Sequence, residues 1–466
     1  EIPDSTFNQD AQLVDVTIAD KVTAIGNNAF ASASYLSELK LIGREGAANG
    51  QTVTGLPSKL RTIGDSAFSG TGFTSIELPK GTTSIGDNAF ALVPATTITL
   101  NDGLTTVGTS PFQGTSITEL VVPNSVRNIG ANAFSFMSML QKITFGPAVP
   151  AGSLTAAIIS NPSLSQIVVP ENAANYKSVG NVLFTKDGTR LTAFPAGLAV
   201  DGASYTVPNG VETIEPYAFY HARQLTEVKF PESLRSVGDT AFYEDNLSTL
   251  KLPDAIETVG NNAFGNNPLS TVDIGGAITL GDQAFSNNSQ LADLDLRSDL
   301  NRLATIGKGA FDQVKQLTKL VFPDSLTSVG NMSFANMPEL QEVHIGAGMT
   351  GSLSMAFTGD PKLSKLTVSE KNPVYSADDN VLYGMVTEEG KDYYNTTMLK
   401  GKHLVLSLPN NTFTDYTVQD GTVQIDAQAF RGNTNLKNVT LPESVRIISS
   451  GAFNGDSLNR LDLPSN

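Results

Sequence analysis

Catalysis needs nucleophiles, bases or metal ligands, and this chain carries few of them. Its 466 residues include no Cys and only three His, at 221, 344 and 403. Thiolate nucleophiles, thiolate metal sites and disulfides are therefore excluded, and a histidine-based zinc centre has almost no material. The sequence contains no G-x-S-x-G elbow, no G-x-x-x-x-G-K-[ST] phosphate loop and no H-E-x-x-H pair. One acidic cluster could interest a hard cation: Asp293, Asp295 and Asp299 lie close in DLDLRSD. Asp273 holds the same strand slot one repeat earlier, which predicts a spacing of about 5 Å from Asp295. No ion-binding loop spacing accompanies these carboxylates, so they read as a solvated acidic strand face. No catalytic, cofactor-binding or metal-binding residue is assigned, and the chain reads as non-enzymatic.

Aromatic residues are the other chemical resource, and nine of the eleven Tyr fall after residue 200. Tyr220 and Tyr243 each follow a repeated Phe, in successive repeats, and are predicted to lie side by side. With Tyr217 and His221 they form a candidate binding patch, of the aromatic kind enriched at protein interfaces. Tyr375, Tyr383, Tyr393 and Tyr394 suggest a second patch. The competing reading is that these rings seal the flanks of irregular segments.

What must position such residues is a repeat. The hexapeptide IGNNAF at 25–30 returns as IGDSAF, IGDNAF and IGANAF, and later as VGDTAF, VGNNAF, LGDQAF and IGKGAF. Fourteen of the 23 Phe occupy its last position, Ile158 is a degenerate copy, and most intervals are 21–24 residues. A fixed period of that length is the mark of a solenoid. Before each hexapeptide stands a strand-like block such as FTSIELP (73–79), LTEVKFP (225–231) or LTKLVFP (317–323). Its fourth and sixth positions alternate toward one face, and Pro ends it because a residue without N–H cannot extend the ladder. One coil is predicted to be a strand, a return and a short helical or 3-10 turn ending in a buried ring. The Gly of the hexapeptide is predicted to permit a turn or a close backbone approach.

The outward strand positions form two columns, among them Ser75, Glu119, Lys142 and Thr271, and Glu77, Lys229, Asp273 and His344. Neither column holds an aromatic, which disfavours glycan stacking and leaves a mixed-charge face able to contact protein. His344 reads as an exposed strand residue.

Two gaps interrupt the period, from Ile158 to Phe219 and from Phe357 to Phe430. Each contains a VLF or VLY run, and each rejoins the array through related segments, SYTVPNGVETIEPYAF (204–219) and DYTVQDGTVQIDAQAF (415–430), identical at seven of sixteen positions. They are expected to be modified coils carrying hairpins, the first turning at Lys186-Asp187-Gly188. The stretch 43–54 reads as a Gly-rich surface loop. The expected organisation is one solenoid over 1–466: a first array at 1–170, a hairpin-bearing insertion at 171–203, a second array at 204–370, a Tyr-rich insertion at 371–414, and terminal repeats at 415–466.

The strand motif followed by SVxxIGxxAF resembles the BspA-like leucine-rich repeat family of bacterial cell-surface proteins. The resemblance implies a leucine-rich solenoid with a parallel sheet, export to the extracellular space or cell surface with lipid anchoring through an N-terminal region, and adhesion to host or neighbouring-cell proteins. The charge supports part of this, since 30 Lys and Arg against 46 Asp and Glu give −16, which repels nucleic acid. No apolar run is long enough for a transmembrane helix. No cofactor is implied, and a glycan ligand stays open. The expected function is a secreted or surface-anchored binding protein. Two alternatives stay open: a hydrolase or glycan-processing protein with its site at an insertion, and a passive structural spacer.

Overall fold

A computed structural model describes every residue except Asn49, 297–301, Tyr393 and Asn466. The chain packs as two compact units, Glu1–Ala203 with Gly210–Gln224, and Ser204–Asn209 with Leu225–Asn466. Each unit is a strand-dominated repeat solenoid of leucine-rich type.

Every regular coil contributes to two parallel ladders, one more than the sequence suggested. The first ladder carries the predicted strand. In the first unit Glu119–Val122 pairs with Lys142–Phe145, and that strand with Gln166–Val168; in the second, Thr249–Lys251, Thr271–Asp273 and Asp293–Asp295 pair in sequence. Leu120 and Val122 are buried while Glu119 and Val121 face water, as alternation requires. The second ladder is the return itself. Ala24–Ile25, Thr62–Ile63, Ser84–Ile85, Thr106–Val107 and Asn128–Ile129 stack as two-residue strands with the apolar residue inward.

The turn that ends each coil is not helical. The residue two before the Phe and the residue two after it both take positive φ: Asn28 and Ser32 (53° and 63°), Asn88 and Leu92 (53° and 60°), Asn262 and Asn266 (52° and 57°). Left-handed residues at these two points prevent a helical turn from propagating, and Asn tolerates that conformation better than most residues. The consequence is a third ladder. The N–H groups of Asn28, Phe30 and Ser32 donate to the carbonyls of Asp65, Ala67 and Ser69 in the next coil, at 2.7–2.8 Å. All such donors point toward the C-terminal neighbour and all acceptors toward the N-terminal one. The same signature at Ser5 and Gln9 identifies Phe7 as a further copy, and at Ala156 and Ser160 it confirms Ile158.

The motif Gly and the Asn or Asp after it have a common cause. A Cβ on Gly64 would come within 2.7 Å of the Asn27 nitrogen, so only Gly lets the coils close. At the next position Asn27 Oδ1 accepts from Asp65 N, Asp65 Oδ1 from Asp87 N, and Asp87 Oδ1 from Thr109 N, at 2.6–2.8 Å. In the second unit Asp239, Asn261 and Asp282 continue the device. Each side chain thereby satisfies a backbone donor of its neighbour.

The rings form the core. Phe7, Phe30, Phe68 and Phe90 stack at centroid spacings of 5.2–5.4 Å in the first unit. Phe242, Phe264, Phe285, Phe311 and Phe334 do so at 5.0–5.5 Å in the second.

Both period gaps carry hairpins. Tyr176–Val179 and Val182–Thr185 pair antiparallel, followed by Arg190–Ala193, which returns to a parallel ladder with Thr213–Ile214. The Asp187 carboxylate accepts from Thr185 Oγ1 and from Thr189 N and Oγ1 at the predicted turn. The second insertion repeats this plan with Tyr375–Asp378, Val381–Val386 and Gly401–Ser407, and adds a small hairpin, Gly390–Lys391 with Thr397–Met398. The stretch 43–54 is not wholly loop: Thr52–Thr54 pairs antiparallel with Leu39–Ile42. Alternating Thr and Val there complete an edge strand.

Candidate functional site

The strands fix a correspondence between the two insertions. Phe194 N donates to Ala218 O, and Ser407 N to Ala429 O, each acceptor immediately preceding a column Phe. Arg190 and His403 therefore occupy one slot, as do Phe194 and Ser407. Where each insertion rejoins the array, the motif Gly is replaced by an acid, Glu215 or Asp426. The sequence shows both substitutions, but their meaning depends on the partner. Arg190 Nε donates to Glu215 Oε1 at 2.7 Å, and His403 Nδ1 lies 2.8 Å from Asp426 Oδ1. His403 Nε2 lies 2.6 Å from the Leu399 carbonyl. With an acceptor at each ring nitrogen, the pair must hold a proton on both imidazole nitrogens or on the carboxyl. Burial pushes the Asp426 carboxyl above the usual range, and its hydrogen bond to His403 draws it back. The modified coils are thus tied to the array by an acid that fills the space a normal coil closes with Gly.

The aromatic column differs between the two insertions. Phe194 stacks on Phe219 at 4.8 Å, whereas the second insertion offers only Ser407, which donates inward to Asn433. Beside Ser407 the second unit opens a cleft of about 470 Å³, within the ~300–1,000 Å³ of ligand-binding cavities. Its walls are the turn around Phe357 and the turn around Phe430, with Val405, Leu406 and Pro409 as floor.

Asp360 lines this cleft and is buried. It occupies a slot that several other coils fill with Asn: Asn161 Nδ2 donates to Phe134 O, and Asn267 Nδ2 to Phe242 O, both at 2.7 Å. Asp360 Oδ1 accepts from Met337 N at 2.8 Å, while Oδ2 has no partner among the described residues. Desolvation pushes its pKa up to about 8, so the carboxyl is protonated at neutral pH. The sign follows: a buried acid with a raised pKa binds more protons folded than unfolded, so its contribution to stability falls as pH climbs from about 4 to about 8. Asp360→Asn restores the amide donor. It is expected to change stability little near pH 4 and to raise it clearly at pH 8, where the wild-type carboxyl has lost the stability that its raised pKa supplies and the amide, which does not titrate, has not. Urea unfolding at the two pH values checks this; a parallel shift at both would show that the carboxyl does not titrate with folding.

The aromatic candidates divide by burial. Tyr375 and Tyr383 are core residues and not part of an exposed patch. The Tyr375 hydroxyl donates to Gly351 O at 2.7 Å and accepts from Leu353 N, and burial raises its pKa. Tyr383 shares a 2.7 Å hydrogen bond with the Tyr416 hydroxyl. These rings close the insertion onto the array, which residue type could not reveal. Tyr394 is 40% exposed and accepts a hydrogen bond from Gln428 at the cleft rim. Tyr393 lies outside the described residues. In the first unit Tyr217, Tyr220 and His221 are half-buried and packed together, with Tyr220 and His221 stacked at 3.9 Å. Tyr243, in the second unit, is half-buried with its ring against Gly265.

On the sheet face, Asp273 and Asp295 are register partners as expected, both exposed, and Asp299 lies outside the described residues. No three acidic or histidine side chains converge as a metal cluster among the described residues. His344 is a half-exposed strand residue hydrogen-bonded to Thr367 at 2.9 Å. No described helix is long and apolar enough to cross a membrane.

Comparison with known proteins agrees with this architecture. No protein of curated function matches the sequence. Among solved structures, a leucine-rich repeat protein from Eubacterium ventriosum is 22% identical, covers 70% of this chain and 83% of its own, and superposes with a TM-score of 0.50. A leucine-rich cell-surface protein from Faecalibacterium prausnitzii is 22% identical, over 79% and 82%, with a TM-score of 0.42. The pneumococcal vaccine antigen PcpA is 18% identical, over 94% and 79%, with a TM-score of 0.42. The family profile of the BspA type leucine-rich repeat region matches in six copies, over residues 1–44, 57–188, 201–305, 300–387 and 408–466. With most of its length matched, this chain belongs to the BspA-type leucine-rich repeat family.

Proposed function

We propose that this protein is a secreted or cell-surface binding protein that engages a protein partner, with the solenoid as support and the second insertion as the recognition element. The observation that carries this reading is the cleft between the Phe357 and Phe430 turns, a concavity in an array whose coils otherwise stack closely. Its lining favours binding over hydrolysis. A glycosidase-type site needs two opposed carboxyl groups, whereas this lining includes one acid, Asp360, held protonated by burial. Apolar walls with a polar rim match the anatomy of a protein interface, an apolar centre ringed by polar groups. Surface location is supported by family membership.

The test is capture from extracellular matrix and mucus fractions on the immobilised full chain, with crosslinks mapped by mass spectrometry. Protease-sensitive capture with crosslinks in 371–414 or 427–434 is expected. Capture that survives protease and is lost after glycosidase treatment would assign a glycan ligand instead, and absence of capture from every fraction would favour a spacer.

A further inference from the structure

We propose that the cleft beside the second insertion binds an extended peptide, which supplies the rung of turn hydrogen bonds that the inserted coil lacks. This rests on the protein-binding reading above and gives it a mode.

In a regular coil three turn N–H groups donate to the next coil. Met332, Phe334 and Asn336 do so, to the carbonyls of Met355, Ala356 and Thr358, at 2.9–3.1 Å. One coil on, the ladder stops. The N–H groups of Met355, Phe357 and Gly359 have no acceptor among the described residues, and all three residues line the cleft. On the opposite wall the carbonyls of Ala427 and Arg431, which accept in regular coils, receive no donor from the described residues; Ala429 O between them accepts from Ser407 N. One wall therefore presents a row of donors and the other presents acceptors. Backbone groups left in this state are a template for an added strand, the mode in which main-chain hydrogen bonds supply affinity and side-chain pockets supply selectivity.

The first insertion provides an internal control. Its ladder breaks at the same point, since the N–H groups of Ala156, Ile158 and Ser160 also lack acceptors among the described residues. There, however, the gap is plugged. Tyr217, Tyr220 and His221 hold the positions of Gln428, Arg431 and Gly432, and His221 Nδ1 reaches Ser160 Oγ at 3.3 Å. In the second unit these rings become Gln, Arg and a Gly at φ 78°, and the gap is open.

The lining describes the ligand. Leu353, Met355, Val405 and Leu406 call for one apolar side chain pointing inward. Arg431 is exposed at the rim, its guanidinium bound among the described residues to Gln428 Oε1 at 2.7 Å, and its remaining guanidinium donors suit a carboxylate on the adjacent peptide residue. A free anion fits less well, because it would leave the apolar wall of Leu353, Met355, Val405 and Leu406 uncovered.

The experiment uses the full chain to select from a phage-displayed random nonapeptide library. Selected peptides are expected to share an apolar residue next to an acid, and to slow amide exchange at Met355, Phe357 and Gly359. The triple variant Gln428→Tyr, Arg431→Tyr, Gly432→His transplants the plug and is expected to weaken binding at least tenfold with an unchanged melting temperature. Gly432→His alone serves if the triple variant melts early. No enriched peptide, equal binding by the plugged variants, or unprotected amides would each overturn the proposal. Partner capture that persists in the plugged chain would sink the cleft and leave the binding reading standing. Peptide binding without capture of any matrix protein would do the reverse.

Discussion

Replacing Phe264 by alanine is expected to lower unfolding free energy by about 3–5 kcal/mol, the range for truncating a fully buried aromatic. Phe264 has no exposed surface, and its ring stacks on Phe242 at 5.0 Å and on Phe285 at 5.5 Å, with planes within 8°. Its loss removes contacts on two sides at once, and neighbouring coils cannot collapse into the space because their backbones are held in three ladders. The turn ladder is one of these: Phe264 N donates to Ala284 O at 2.8 Å. Interfaces between repeats carry the stability of such arrays, so the damage extends to both neighbours. Val121→Ala provides the contrast. That side chain is 63% exposed on the sheet face, and its truncation is expected to stay within about 0.5 kcal/mol. Equilibrium urea denaturation of both variants decides the matter; equal midpoints would mean that the ring column is not the core.

The second large effect is expected at His403. Replacing it by leucine leaves the Asp426 carboxyl buried without its side-chain partner among the described residues, a change that typically costs about 3–5 kcal/mol for a buried pair. The loss should be local as well as global. His403 lies in the strand that joins the second hairpin to the array, and its ring also holds the Leu399 carbonyl. Faster amide exchange is therefore expected across Val381–Val386 and Gly401–Ser407 before the ring stack loosens. The double change His403→Leu with Asp426→Gly is expected to recover part of the loss, because it removes the stranded acid and restores the residue that regular coils use. A double variant no more stable than His403→Leu would show that the carboxyl is not the source of the cost.

Much of this molecule was legible in its residues. The recurring Phe fixed the coil length, and period-two alternation in blocks such as ITELVVP fixed which side chains face water, because both signals are local and repeated many times. The matching segments at 204–219 and 415–430 likewise identified the insertions as related. The turn conformation was missed. Nothing in IGNNAF distinguishes a 3-10 turn from a chain with two left-handed residues until the donors of one coil are seen to reach the acceptors of the next. The ladder made by Asn27, Asp65 and Asp87 was hidden for the same reason, since each side chain serves a backbone 22–38 residues away.

The candidate site shows the division most clearly. Tyrosine content pointed to the second insertion, yet residue type could not tell Tyr383, with 1% of its surface exposed, from Tyr394, with 40%. Composition and spacing by themselves determined a family, a repeat and a set of faces, since these depend on neighbours within one coil. Which rung is missing, which gap is plugged and which stays open depend on segments up to some seventy residues apart being laid against each other. Only the folded backbone brings Met355 and Ala427 to one cleft, and hydrogen-bond complementarity exists only once that distance has been closed.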